Sequence, residues 1–238
     1  MATYDLKLVH KKVVAEDVAI LDFAVSGREK ISFLPGQYMN LFIDLKNDGD
    51  YSGRSYTIAS LPTDDFLSFA IRKKGEFSTA MHNLQEGSVI VADGPSGNLC
   101  LPDTSHEIIC LAAGIGVTPF YSWVKHVVAS KEKIWKLFLL VSNTNDFRAP
   151  FLKDLFLLSK NSNGTVDVFS FITQQQTFAS DNQAMSRRIN EKDIKKVLLK
   201  MSRAHVAICG SISFTRDMWR AAKLAGVSED HITTEAFY

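Results

Sequence analysis

The pattern of this chain changes once, at Pro102-Asp103-Thr104-Ser105, and that break constrains the fold more than any other feature. Before it, short apolar stretches are separated by turn residues, which predicts a small antiparallel barrel. After it, near-continuous apolar runs alternate with amphipathic stretches of helical period, which predicts a parallel sheet covered by helices. The expected architecture is two-domain, β followed by α/β. A six-stranded antiparallel β-barrel spans 1–102, and a parallel-sheet nucleotide-binding α/β domain spans 103–238. A length of 238 residues allows two domains of moderate size.

In the first half, the expected strands are an extended opening with Leu6, Val9, Val13 and Val14, then Val18 to Val25, Met39 to Ile43, Arg54 to Ser60, Phe66 to Arg72 and Val89 to Ala92. Ser26-Gly27, Asn47-Asp48-Gly49-Asp50, Leu61 to Asp65 and Asp93 to Gly97 are the turns. One short helix is expected at Phe77 to Leu84, closed by Gly87. In the second half, strands fall at Ile108 to Ala113, Leu137 to Val141, Val166 to Ile172 and His205 to Cys209. Helices fall at Val117 to Ser130, Pro150 to Ser159, Glu191 to Met201 and Ile212 to Ala225. The polar, Gln-rich segment from Thr173 to Arg187 is expected to be an exposed loop.

Charge and cysteine usage remove several function classes. The net charge of +1 offers no global attraction for nucleic acid or an acidic membrane surface. Cys100, Cys110 and Cys209 are widely spaced and form no Cys-x-x-Cys pair, so no metal site is expected. The first residues lack a signal pattern, and the apolar window Ile108 to Val124 is shorter than the roughly 20 residues of a membrane helix. A cytoplasmic protein without membrane insertion is expected.

Four stretches carry chemistry. Arg54-Ser55-Tyr56-Thr57 puts a cation, a ring and two hydroxyls on one strand, with Arg54 and Tyr56 on one face and Ser55 and Thr57 on the other. A cation suits a phosphate, a ring suits a flat heterocycle, and a hydroxyl suits a ring nitrogen. An ordinary edge strand could carry the same residues. Gly75 with Ser78 and Thr79 opens the short helix, as an anion site or as simple capping by Ser78. Gly114-Ile115-Gly116-Val117-Thr118-Pro119 leaves the first parallel strand as a glycine turn into a helix, and ligands in such sheets lie at the carboxyl ends of strands. Cys209-Gly210-Ser211 ends a strand at that same edge. A buried Cys is usually an apolar core residue, but its place before Gly-Ser at a helix start also admits a functional role.

Taken in order, these motifs resemble the ferredoxin–NADP reductase superfamily of flavoprotein reductases over nearly the whole chain. Arg54-Ser55-Tyr56-Thr57 is similar to its Arg-x-Tyr-Ser/Thr flavin motif, Asp93-Gly94-Pro95-Ser96-Gly97 to its barrel-closing turn, and Gly114-Ile115-Gly116-Val117-Thr118-Pro119 to its Gly-x-Gly-x-Thr-Pro turn. Cys209-Gly210 resembles its Cys-Gly pair, and Glu235-Ala236-Phe237-Tyr238 its Glu-x-aromatic ending. The resemblance implies an FAD-binding barrel, an NAD(P)-binding domain, and an FAD-dependent oxidoreductase taking electrons from NADH or NADPH. It implies that Arg54 meets the pyrophosphate and that Tyr56 and Phe237 cover the two flavin faces. Thr57 would bond near the reactive flavin nitrogen. Ile71, Arg72 and Lys73, with Gly75, Phe77, Ser78 and Thr79, would form a second phosphate element that goes with FAD. Gly114, Gly116, Thr118, Pro119, Asn143 and Gly210 would hold the nicotinamide nucleotide. Thr57, Cys209 and Glu235 would be the catalytic group, with Thr118 helping to shape the nicotinamide site.

Ser142-Asn143-Thr144-Asn145 and Gln174-Gln175 stand where NADP-specific members carry Arg or Lys, which favours NADH. Arg148, Arg187 and Arg188 remain candidates for a phosphate. With no metal ligand set in view, the acceptor is expected to be separate: ferredoxin, flavodoxin, an oxygenase component, or a small molecule. The alternatives are a reductase of free flavin or ferric chelates, and a flavin-binding electron-transfer subunit that oxidises no nucleotide itself.

Overall fold

The computed structural model describes residues 2–27, 30–46, 48–102, 106–130, 135–174 and 184–237. Asn47, the break at Asp103-Thr104-Ser105, Gln175 and Gln176 with the rest of 177–183, and Tyr238 lie outside the described residues. The chain divides into two compact units, Met1–Cys100 and Leu101–Tyr238.

In the first unit the strands are β1 (Thr3–Ala15), β2 (Val18–Val25), β3 (Tyr38–Asp44), β4 (Tyr51–Thr57), β5 (Leu67–Arg72) and β6 (Val89–Ser96), with helix α1 (Glu76–Asn83) between the last two. Their order is β4-β3-β6-β1-β2-β5, antiparallel throughout. An antiparallel bridge from Ile58 to Phe69 and the Ala59 amide on the Ser68 carbonyl (2.7 Å) join the two end strands into a barrel. Closure removes the unpaired edges that an open sheet would expose. Period-2 alternation fills the interior with Leu6, Leu21, Phe23, Met39, Leu41, Phe69 and Ile71, all buried. Each such side chain contributes about 1.5–3 kcal/mol by leaving water. Phe77 and Met81 anchor α1 to this core, and Lys11 donates to the Leu84 carbonyl (2.8 Å) just beyond the helix.

The structure changes one expectation here. Asp93-Gly94-Pro95-Ser96 is not a turn after the last strand but the end of β6 itself. Tyr38 still pairs with Ser96 and Asn40 with Asp93, and the shift between those pairs is absorbed where Gly94 takes φ +128°. A bulge of this kind bends a strand without ending it.

In the second unit the strands are β7 (Glu107–Ala113), β8 (Lys136–Asn143), β9 (Val166–Ile172), β10 (Ala184–Met185), β11 (His205–Ser211) and β12 (Ile232–Phe237). The helices are α2 (Thr118–Ala129), α3 (Leu152–Asn161), α4 (Glu191–Leu198) and α5 (Ile212–Leu224). The sheet order is β10-β9-β8-β7-β11-β12, all parallel. The chain runs outward from β7 through β8 and β9, then returns to β11 on the other side of β7. The order therefore reverses between β7 and β11, the position at whose carboxyl ends open α/β sheets bind their ligands. No helix among the described residues is long and apolar enough to cross a membrane. Nor do they contain a group of three or more His, Cys, Asp or Glu placed to hold a metal ion.

The residues up to Phe237 also differ from expectation. The sequence places no strand there, yet Ile232–Phe237 is the edge strand β12, in register with all of Val206–Ser211. Ile232-Thr233-Thr234 is β-branched and suits a pleated surface, and β11 offers its unpaired edge. Two residues of the Gln-rich segment, Ala184 and Met185, likewise add a short strand beside β9.

Candidate functional site

Strand β4 presents two different faces. Arg54 stands opposite Leu41 and Tyr56 opposite Met39, so both share the face of those core side chains, with Tyr56 packed against the core. Tyr56 stacks on Phe77 at the start of α1 (6.1 Å between centroids, 22° between planes). The Arg54 guanidinium lies over the same ring at 5.8 Å. Three residues from two elements therefore form one cationic, aromatic cluster. Burial pushes the Tyr56 phenol up to about 12 although Arg54 pulls the other way, so its OH stays protonated and able to donate.

The opposite face carries hydroxyls. Ser55 Oγ donates to Asn40 Oδ1 and Asn40 Nδ2 donates to Asp93 Oδ1, each at 2.6 Å, tying β4, β3 and β6 together. Thr57 ends the same face, 4% exposed, and its Oγ1 has no hydrogen-bond partner among the described residues. A buried hydroxyl without a partner costs about 1–3 kcal/mol, and an acceptor or donor from a bound flavin would relieve that cost. These residues fit the flavin that the motif implies.

The residues flanking this cluster are more constrained than their order suggests. Ile71 is a core side chain, and His82 Nε2 donates to its carbonyl at 2.8 Å. Arg72 pairs with Asp17 at 3.3 Å, while Lys73 is exposed. Ser78 Oγ accepts from the amides of Lys74 (2.9 Å) and Gly75 (3.0 Å) and donates to the Gly75 carbonyl (3.0 Å). The Ser78 hydroxyl is thus spent on closing the helix start, the capping alternative, and Thr79 is half-buried behind it. Any anion at this helix start would meet the amides of its first turn.

In the second unit, Gly114–Val117 forms a 3-10 turn between β7 and α2. Gly114 takes φ +56°, a left-handed value that suits glycine. Gly116 has a different reason. A Cβ there would lie 2.5 Å from the Cys209 carbonyl oxygen, and one at Gly210 would lie 2.8 Å from the Phe214 ring. The two glycines let the β7 and β11 loops touch backbone to backbone at the point where the strand order reverses. Thr118 Oγ1 donates to the Ile115 carbonyl (2.8 Å), bracing the turn, and Pro119 is buried in the first turn of α2.

Three further side chains stand at the carboxyl edge. Asn143, 5% exposed, ends β8, and both polar atoms of its amide are without a partner among the described residues. A nucleotide's polar groups would supply what that amide lacks, so the pattern fits a bound nucleotide. Cys209 is fully buried and directly opposite Glu235, and Ser211 is opposite Phe237. Burial raises the Cys209 thiol well above its usual range, with the Glu235 carboxylate adding to the effect. Burial also raises the Glu235 carboxyl.

Two family models meet these two units. The oxidoreductase FAD-binding domain matches residues 5–100, and the oxidoreductase NAD-binding domain matches residues 110–220. The chain belongs to the ferredoxin–NADP reductase superfamily. That superfamily comprises FAD-dependent NAD(P)H oxidoreductases, and its two-domain fold is the one seen here. The flavohemoprotein of Bacillus subtilis is 26% identical over 208 residues, 86% of this chain and 51% of its own. Flavohemoglobin of Malassezia yamatoensis, solved with FAD and heme, superposes with a TM-score of 0.85 at 24% identity, over 100% of this chain and 61% of its own. A ferredoxin NADP+ reductase of Neisseria gonorrhoeae, solved with FAD and NADP, superposes with a TM-score of 0.82 at 19% identity over 100% of both chains. The chain thus spans about half the length of the first of these flavohemoproteins.

Within this superfamily frame, sequence reasoning missed Asn40. Its signal is weak: a polar residue at an outward position of an otherwise apolar strand, with Ser55 opposite only once the register is known.

Proposed function

We propose that this chain is a cytoplasmic reductase that takes electrons from NADH into bound FAD and delivers them to a separate acceptor. The candidates are a ferredoxin, a flavodoxin or an oxygenase component. The observation that carries the reading is the Arg54–Tyr56–Phe77 cluster, on a barrel strand whose other face ends in the unpartnered Thr57 hydroxyl. FAD, when bound, accepts the nicotinamide's two electrons as hydride and releases them singly or together. The chain's own work is positioning. Arg54 neutralises phosphate charge, Tyr56 and Phe77 offer rings, and Thr57 meets the flavin's polar edge. Cys209, Gly210 and Glu235 shape the nicotinamide pocket, with Thr118 holding the turn beside them.

NADH is favoured because Ser142, Asn143, Thr144, Asn145, Thr173 and Gln174, at the carboxyl ends of β8 and β9, carry no cation. Arg187, one of the candidates for a 2′-phosphate, is held bidentately by Asp193 (2.5 and 2.6 Å) over the Phe171 ring. An absorbance spectrum of the purified protein, followed by anaerobic titration with NADH and NADPH, tests the reading. Tightly held flavin bleached by NADH is expected. A colourless protein that reduces added flavin would favour a free flavin reductase, and a higher kcat/KM with NADPH would overturn the donor preference.

A further inference from the structure

The segment after β8 has a feature that the cofactor motifs leave unused. Asn145 Oδ1 accepts from the Arg148 amide (2.9 Å), and the Ala149 amide donates to the Asp146 carbonyl (3.2 Å), fixing a 3-10 turn at Asp146–Arg148. Beyond it the chain is anchored at once. Ala149 is buried, and Phe151 is buried in a left-handed conformation (φ +62°), stacked on Tyr121 of α2 at 4.1 Å and 9°. The turn is thus clamped at both ends, and between the clamps the Phe147 side chain is 73% exposed.

Position gives this ring a use. In a sheet whose order reverses beside β7, the pyrophosphate sits at the turn after β7 and the adenosine ribose at the end of the next strand outward. That strand is β8, which ends at the buried, unpartnered amide of Asn143. The turn that carries Phe147 follows directly, at Asp146–Arg148, on the side where a base beyond that ribose would extend. A ring held on a fixed turn is a low-entropy stacking surface for any base.

We propose that Phe147 is the platform on which the adenine of the nicotinamide dinucleotide stacks; this rests on the reading of the second unit as the NADH site. It assigns Phe147 to affinity for the adenosine half of the donor. The test is calorimetric titration of the FAD-loaded full chain with ADP-ribose, which has no nicotinamide to react, for the parent, Phe147→Ala and Phe147→Tyr. Loss of one base–ring stack should weaken ADP-ribose binding about tenfold in Phe147→Ala, while Phe147→Tyr stays within about twofold of the parent. With NADH as substrate, Phe147→Ala should raise KM and leave kcat largely in place. Equal ADP-ribose affinity in the parent and Phe147→Ala would overturn the proposal. A parent that binds ADP-ribose but leaves its flavin oxidised with NADH would refute the reductase reading and spare this one. A parent that binds no ADP-ribose would overturn both.

Discussion

Cys209 and Glu235 stand directly opposite one another on adjacent parallel strands, and burial raises the pKa of each. Both groups are therefore held toward their neutral forms. A neutral carboxyl can donate a hydrogen bond where a carboxylate could only accept.

This gives a pH signature. The folded Glu235 pKa lies above the ordinary 4.5, so the folded chain keeps a proton that the unfolded chain has lost. Stability from this group is complete below the ordinary value and falls as pH rises through the window up to the folded pKa. Glu235→Gln removes that fall, so its Tm relative to the parent should climb across the window and level off above it. A Tm difference that does not change from pH 4 upward would show that Glu235 titrates normally.

The Gly116–Cys209 approach can be tested by one methyl group. Gly116→Ala places its Cβ 2.5 Å from a backbone oxygen, with no flexible side chain to yield. Overpacking of this kind should cost about 1–3 kcal/mol, read as a lower denaturation midpoint at unchanged slope. ADP-ribose affinity should fall with it, because the β7 and β11 loops move apart. A variant as stable as the parent would mean that the loops accommodate a side chain.

Arg54 carries the charge of the barrel cluster. Arg54→Ala removes the guanidinium over Phe77 and should weaken FAD binding by about 1.5–3 kcal/mol, the worth of hydrogen bonds to a charged group. That is roughly ten- to a hundredfold in Kd. Flavin released on gel filtration, measured by absorbance against protein, reports it. Retention equal to the parent would remove Arg54 from the site.

Thr57 separates ligand binding from folding. Thr57→Val replaces the unpartnered hydroxyl by a methyl of similar shape, so the flavin-free protein should be as stable as the parent or about 1 kcal/mol more stable. The rise in Tm on adding FAD should shrink in the same variant. A large loss of stability without flavin would show that the hydroxyl has a protein partner.

Much of the fold is legible because side-chain period is a local property. Val18–Val25, Val166–Ile172 and Ile212–Leu224 form where alternation, apolar runs and helical spacing place them. The Cys209–Glu235 pair is not legible in this way. Nothing near either residue says that β12 will lie beside β11 in that register. Asp93 shows the opposite failure: its Gly-Pro neighbours read locally as a turn, yet pairing with Asn40 holds them in β6.

By itself the sequence determined the two-unit plan, the residue types at each motif, and the faces of β4. Those follow from backbone period and side-chain chemistry, which act over a few residues. Tertiary structure alone decided which hydroxyls were spent and which were left. Ser78 and Thr118 brace their own backbones, whereas Thr57 Oγ1 and the Asn143 amide are buried without a partner among the described residues. Whether a polar atom finds a partner depends on chain segments distant in sequence, and only folding brings those together.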